Sequence, residues 1–242
     1  MKDSVVIIPT YNEIENIELI IRKVFSLSHP FHVLIIDDGS PDGTAEVVKN
    51  LQLEFAERLF LEQRTGKLGL GTAYIHGFKY ALKHEYQYIF EMDADFSHNP
   101  EDLIRLYEAV TTQNADMAVG SRYVKGVNVV NWDMYRLLLS YFASIYVRFI
   151  TDLPVHDATA GFVCYKREVL QRMNLDNIKF IGYAFQIEMK FTAWKHGFKI
   201  QEVPIIFTDR TRGESKMSSN IIKEALFGVM EMKIRSWFKH YE

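Results

Sequence analysis

Asp93 and Asp95 end a short apolar run, Tyr88-Ile-Phe-Glu-Met-Asp93-Ala-Asp95, and stand one residue apart. A segment rich in Tyr, Ile and Phe reads as a buried strand, and burying two carboxylates in its continuation is costly unless a cation meets them. Carboxylates at i and i+2 can reach one hard cation, and magnesium usually takes one or two protein carboxylates together with substrate phosphates. Asp is also common at strand ends and helix caps, and Pro100 stands where a first-turn proline belongs. Taken alone, the triplet supports a metal–nucleotide site and a helix cap about equally.

The elements around the triplet break this tie. Val5-Val-Ile-Ile8 and Val33-Leu-Ile-Ile36 are apolar runs without alternation, as expected of strands covered on both faces. The first ends on Pro9-Thr-Tyr-Asn-Glu13 and the second on Asp37-Asp38-Gly39-Ser40. Between them Ile14, Ile17, Ile21, Val24 and Phe25 form one helical face. Further on, the pattern predicts a helix over 44–53, a strand at 59–61, a helix opening at the Gly66-Lys-Leu-Gly-Leu-Gly71 stretch, a helix from Pro100 to about Thr111 and a strand at 117–119. Repeated β-α alternation with short connections is the mark of an α/β, doubly wound, mostly parallel sheet, which binds ligands beyond the carboxyl ends of its strands. Three such ends carry polar or acidic groups, namely Tyr11 with Glu13, Asp37 with Asp38, and Asp93 with Asp95. Their convergence on one sheet edge favours a binding site. The Gly66-Lys67 stretch lacks phosphate-loop spacing and reads as a tight turn into a helix.

Composition sets outer bounds. The 242 residues are 48% hydrophobic and 14% aromatic, ample for a globular core, and the net charge of -3 gives no global sign of nucleic-acid binding. The single cysteine, Cys164, excludes an internal disulfide and reads as a small buried residue in a reducing compartment. The N-terminus enters a strand directly without room for a signal peptide, so the expected location is cytoplasmic. The most apolar stretch, 137–150, is broken by Ser140, Ser144 and Arg148 and cannot cross a bilayer unaided.

With Pro9-Thr-Tyr-Asn-Glu13, Ile36-Asp-Asp-Gly-Ser-Pro-Asp-Gly-Thr44 and Met92-Asp-Ala-Asp-Phe-Ser-His98 in this order, the chain resembles the family-2 glycosyltransferases of the GT-A fold. Gly120-Ser-Arg-Tyr123, Gly182-Tyr-Ala-Phe-Gln-Ile-Glu188 and Arg210-Thr-Arg-Gly-Glu-Ser-Lys216 narrow the resemblance to dolichyl-phosphate (polyprenyl-phosphate) mannosyltransferases. It covers nearly the whole chain, as a catalytic domain over 1–216 and a C-terminal amphipathic helix over 217–242. The resemblance implies a nucleotide-sugar donor, usually GDP-mannose, a divalent cation, Mg2+ or Mn2+, and a polyprenyl monophosphate acceptor. By motif, Pro9, Tyr11, Glu13, Ile36 and Asp38 line the nucleotide pocket, and Asp93 and Ala94 lie beneath the ribose and diphosphate. Asp95 is the principal metal ligand, with Asp93 and Ser97 in the same shell; Ser97 stands where some relatives carry glutamine. Arg210 and Lys216 clamp donor phosphates, and Arg122 and Arg136 receive the acceptor phosphate. The catalytic set implied is Asp95, Arg122, Arg210 and Lys216.

The second half carries the expected contact with lipid. Trp132 to Ile150 is apolar and aromatic with Arg136 and Arg148 near its ends, and Ile221 to Tyr241 repeats that character with Lys223, Lys233, Arg235 and Lys239. A core helix is the default for the first, and a helix in the membrane interface, its arginines toward lipid phosphates, is the alternative. The second reads as a membrane-surface or partner-binding helix. The enzyme is therefore expected to sit peripherally on the cytoplasmic membrane face, with a membrane-spanning partner protein left open. A phosphate monoester is largely ionised at neutral pH and needs no general base, so Asp157 and Glu188 are read as a turn acid and a helix-surface acid. Two rivals stay open: transfer from a UDP-sugar donor, and a non-catalytic nucleotide-sugar-binding protein of the same fold.

Overall fold

The structure, a computed structural model, describes residues 3–210, 220–238 and 241, with Tyr183 and residues 220–225 described in backbone only. Lys216 and Arg212 lie outside the described residues. The described strands are β1 (Ser4–Thr10), β2 (His32–Asp37), β3 (Leu59–Gln63), β4 (Tyr88–Glu91), β5 (Met117–Ser121), β6 (Val129–Val130), β7 (Val163–Lys166), β8 (Ile200–Pro204) and β9 (Phe207–Thr208). The helices are α1 (Ile17–Phe25), α2 (Thr44–Glu54), α3 (Leu70–Lys83), α4 (Asp102–Thr111), α5 (Met134–Thr151), α6 (Arg167–Arg172), α7 (Tyr183–Lys195) and α8 (Asn220–Phe238).

Seven strands form the main sheet in the order β3-β2-β1-β4-β7-β5-β8, and β6 pairs with β9 in a separate ribbon. Strands β1 to β4 are mutually parallel where they pair, β7 runs antiparallel between β4 and β5, and β8 is parallel to β5. The predicted mostly parallel, doubly wound sheet is present, with one reversed strand inside it. The missing alternation in β1 has its reason in the packing. Val6 and Ile8 enter a core with Ile17, Ile20 and Leu103 of α1 and α4, while Val5 and Ile7 enter the opposite core with Tyr74, Phe78 and Phe185 of α3 and α7. Both faces of the strand are dry, so both must be apolar.

Residues 202–207, Glu-Val-Pro-Ile-Ile-Phe, have the composition of a strand but do not form a single one. Strand β8 stops at Pro204, Ile206 is 61% exposed, and the chain re-enters pairing as β9 beside β6. Proline carries no amide hydrogen for the ladder. This break directs residues 207–210 across the carboxyl edge of the sheet. Cys164 is fully buried in β7, as its neighbours predict. No helix among the described residues is long and apolar enough to cross a membrane.

Candidate active site

The parallel pairing of β1, β2 and β4 puts their carboxyl ends on one edge, which brings Tyr11, Glu13, Asp37, Asp38, Asp93 and Asp95 to the same side of the sheet. At the β2 end Asp37 is buried and accepts the Thr10 hydroxyl at 2.9 Å, the Ser40 hydroxyl at 2.5 Å and the Ser40 amide at 3.0 Å. Asp37 therefore ties the β1 and β2 ends together. Asp38, 6% exposed, accepts Arg64 Nε at 2.6 Å and the Leu68 amide at 3.3 Å, while Arg64 Nη1 donates to Thr72 at 2.8 Å. The Lys67 ammonium lies 5.1 Å from the centroid of the Tyr11 ring, a cation–π contact that seats the 64–68 loop over the β1 end. Glu13 accepts the Asn16 side-chain amide at 3.0 Å. The side chain of Ile36 is fully buried in the core, so only its main chain can face a ligand, and Ala94 is likewise buried at 4%.

At the β4 end Asp95 is 5% exposed. Its Oδ1 accepts the Ser97 amide at 3.0 Å, and its Oδ2 pairs with Arg210 Nη2 at 2.9 Å. The turn into α4 is capped by another residue, Asn99, whose Oδ1 accepts the Glu101 amide at 3.1 Å. The cap reading of the triplet thus passes to Asn99, and both Asp95 oxygens stay in the site, one on the Ser97 amide and one on Arg210. Asp93 is pushed up to about 7, chiefly by burial and then by the neighbouring Asp95, with Arg210 opposing and Glu91 and Glu13 adding to the rise. Two carboxylates share one guanidinium, so the pair calls for further positive charge.

Oxygen-only donors with excess negative charge suit Mg2+ or Mn2+. Among the described residues no group of three or more His, Cys, Asp or Glu side chains is arranged to hold a metal. That is compatible with an ion completed by substrate phosphates and water, the usual habit of magnesium. Ser97 is 3% exposed; its amide is spent on Asp95 and its carbonyl accepts the Thr208 amide at 3.2 Å. It thereby fastens the acidic loop to β9, next to Arg210.

The two arginines expected to receive an acceptor phosphate are placed by contacts the sequence did not announce. Arg122, at the β5 end, is 8% exposed and donates from Nε to Asp157 at 2.7 Å and from Nη2 to Asp157 at 2.6 Å and Thr159 at 2.8 Å. Its guanidinium carbon lies 5.4 Å from the Trp132 ring and 5.6 Å from that of Phe207. Arg136 pairs with Asp209 at 2.8 Å and stacks over the same Trp132 ring at 4.3 Å. Trp132 is therefore the common floor of both arginines and was missed from sequence, where it read only as part of an apolar run. Asp157, read as a turn acid, is fully buried; burial pushes its carboxyl up, but the Arg122 guanidinium outweighs this and holds it below the usual range. Glu188, read as a helix-surface acid, is 6% exposed and accepts the amides of Lys179 and Phe180 at 2.8 and 3.0 Å. It secures the loop before α7.

Beside this edge α5 and α8 pack together through Val147, Val229 and Met232, and Tyr146 donates to the Leu226 carbonyl at 2.9 Å. Their outer faces are apolar. On α5, Tyr135, Leu138, Phe142, Ile145 and Phe149 recur at helical spacing and are all exposed; on α8, Phe227, Met230, Ile234 and Trp237 do the same. The core reading of α5 holds for one face, where Ser144, Val147 and Thr151 are buried, and the opposite stripe is exposed.

Comparison with known proteins identifies the family. The chain is 48% identical over 232 residues to polyprenol monophosphomannose synthase of Mycolicibacterium smegmatis, covering 96% of this chain and 87% of that protein. It is 44% identical to the undecaprenyl-phosphate mannosyltransferase of Micrococcus luteus, covering 92% of this chain and 90% of that protein. The mannosyltransferase PcManGT of Pyrobaculum calidifontis, solved with GDP-Man and Mn2+, shares the fold at a TM-score of 0.62 and 17% identity, with 100% of this chain covered and 66% of that one. Residues 5–173 match the family description "Glycosyl transferase family 2". By this match and by those identities, the chain belongs to glycosyl transferase family 2.

Proposed function

We propose that this enzyme transfers mannose from GDP-mannose to a polyprenyl monophosphate at a membrane surface, with inversion at the anomeric carbon. The observation that carries the reading is the meeting of Asp93, Asp95 and Arg210 at the β4 end beside a paired-helix face of exposed aromatic residues. Polar diphosphate chemistry and a lipid-compatible surface adjoin in one molecule. The names of the two mannosyltransferase relatives, at 48% and 44% identity, support mannose and a polyprenyl phosphate acceptor. The PcManGT complex with GDP-Man and Mn2+ supports a guanine nucleotide donor and a divalent cation.

Tyr11 offers a flat face to the base, and Asp38 and Glu13 offer acceptors to base or ribose. The backbone at Pro9, Ile36 and Ala94 completes the cradle, and the family motif gives Lys216, outside the described residues, a phosphate-binding role. Asp95, with Asp93 and Ser97 beside it, would hold a divalent cation, which would supply positive charge toward the leaving diphosphate. Arg210, paired with Asp95 at 2.9 Å, adds a second positive group on the same side. On the opposite side Arg136, stacked on Trp132, orients the acceptor phosphate. Arg122 works there with its fork fixed on Asp157, so it contributes field and shape more than a free clamp. A phosphate oxygen then forms the new bond to the anomeric carbon as the bond to the diphosphate breaks. With a second phosphate pKa near 6, the nucleophile is mostly ionised at neutral pH and no protein base is needed.

The catalytic body expected over 1–216 and α8, within the C-terminal segment 217–242, work as one unit, with α8 shared between the domain and the lipid surface. The reading is tested by following labelled mannose from GDP-mannose into solvent-extractable lipid in the presence of a polyprenyl phosphate and Mn2+. Transfer that requires both, and that chelator abolishes, supports it; labelling from UDP-sugars in preference to GDP-mannose overturns the donor.

A further inference from the structure

Beneath the site lies a buried polar chain that none of the roles above uses. Lys190 of α7 is fully buried, and its ammonium donates to the Ala160 carbonyl at 2.6 Å, the Gln186 carbonyl at 3.2 Å and Gln186 Oε1 at 3.3 Å. Gln186 Nε2 in turn donates to Glu91 Oε2 at 2.5 Å, and the Tyr165 hydroxyl donates to Glu91 Oε1 at 3.0 Å. Glu91 is the last residue of β4, two positions before Asp93. Ala160 closes a turn through its amide to the Asp157 carbonyl at 3.3 Å, and the same turn holds Arg122 through Asp157 and Thr159.

Such a lysine is expensive to bury, and a hydrophobic side chain of similar volume would cost less if only packing were at stake. What it gains is connection. One end of the chain stands at the strand that presents the acidic pair, and the other at the turn that presents Arg122. We propose that Lys190 and Gln186 are positioning residues that hold the donor-side carboxylates and the acceptor-side arginine in register across the sheet edge. The inference rests on the functional reading above for its kinetic form, but the physical tie itself does not.

Three variants test it. Gln186→Met removes the bridging amide and leaves both charges; Lys190→Met removes the ammonium, and pairing it with Glu91→Gln removes the opposing carboxylate so that no unpaired charge stays buried. Local hydrogen exchange at the Arg122 and Ala160 amides is read against that of the α3 amides, and transfer kinetics are read for donor and acceptor separately. The expected result for Gln186→Met and for the double variant is exchange at least tenfold faster at Arg122 and Ala160 with α3 unchanged. The expected kinetics are a tenfold or greater loss of kcat/KM for polyprenyl phosphate with the GDP-mannose KM within twofold. Wild-type exchange at those amides overturns the tie, and so does equal movement of both KM values or unchanged acceptor kinetics. Should Lys190→Met alone fail to fold, Gln186→Met and the double variant carry the test. Should the wild-type protein transfer no mannose at all, the functional reading fails while the exchange comparison still decides the tie.

Discussion

Removing the aromatic groups on the outer faces of α5 and α8 is expected to detach the protein from lipid without harming the chemistry. Phe149 is 81% exposed and Phe238 is 82% exposed, and neither is needed to join the two helices, which meet through Val147, Val229 and Met232. Fully burying a phenylalanine side chain stabilises by about 1.5–3 kcal/mol. Four-fifths of the lower figure, for two side chains partly immersed, is roughly 2.5 kcal/mol, or on the order of 70-fold in a partition constant. The variant Phe149→Ser/Phe238→Ser should therefore bind vesicles of phosphatidylcholine and phosphatidylglycerol about 70-fold more weakly in a sedimentation assay. Its KM for a short, water-soluble prenyl phosphate should be unchanged. The thermal midpoint should also stay within a few degrees of wild type, because both residues face outward. Equal vesicle binding by variant and wild type would refute the assignment of this face to lipid, as would a wild-type protein that stays in the supernatant.

Further outcomes follow from the interior. Asp157→Asn leaves the Arg122 guanidinium without its buried partner and should cost about 3–5 kcal/mol in denaturant unfolding. The same carboxyl is held below its usual range, so its stabilisation is present above the unfolded value near 4 and is lost as pH falls through the lower folded value. Acid unfolding of wild type should accordingly steepen below about pH 4, and Asp157→Asn should flatten that limb. Gly71→Ala places a Cβ 2.8 Å from Phe185 and 2.9 Å from the Ile181 backbone, where α3 meets the loop before α7, and should destabilise by about 1–3 kcal/mol in thermal unfolding. Asn99→Ala removes the cap of the turn into α4 and should cost about 1 kcal/mol, whereas Asp95→Asn should leave that turn intact.

The sequence made the sheet edge legible because its signals are local. Val5–Ile8 and Val33–Ile36 lack alternation for the physical reason that both of their faces are covered, and each is followed at once by the polar groups it presents. The outward stripes of α5 and α8 could be read as well, since Tyr135, Phe142 and Phe149 repeat at helical spacing. What local pattern does not carry is the pairing of distant groups. Asp157 lies 35 residues from Arg122, and Arg64 lies 26 from Asp38, so neither ion pair leaves a mark on its own neighbourhood. The reversed strand β7 was visible as an apolar run but not in its direction or its place between β4 and β5. The break after β8 had a signal in Pro204 that the surrounding Val203, Ile205 and Ile206 masked. The competition between cap and cation at Asp93 and Asp95 was likewise undecidable locally, because Asn99, four residues on from Asp95, does the capping.

Asp95 is where these lines meet, one oxygen fixed by the Ser97 amide and the other turned to Arg210. The most direct measurement is mannose transfer from GDP-mannose to polyprenyl phosphate by wild type and by Asp95→Asn, each over a Mn2+ titration. Loss of a charged ligand worth several kcal/mol predicts a fall of about 10³-fold or more in kcat/KM that added Mn2+ does not recover. Transfer by Asp95→Asn at the wild-type rate, or wild-type transfer indifferent to chelator, would contradict the account.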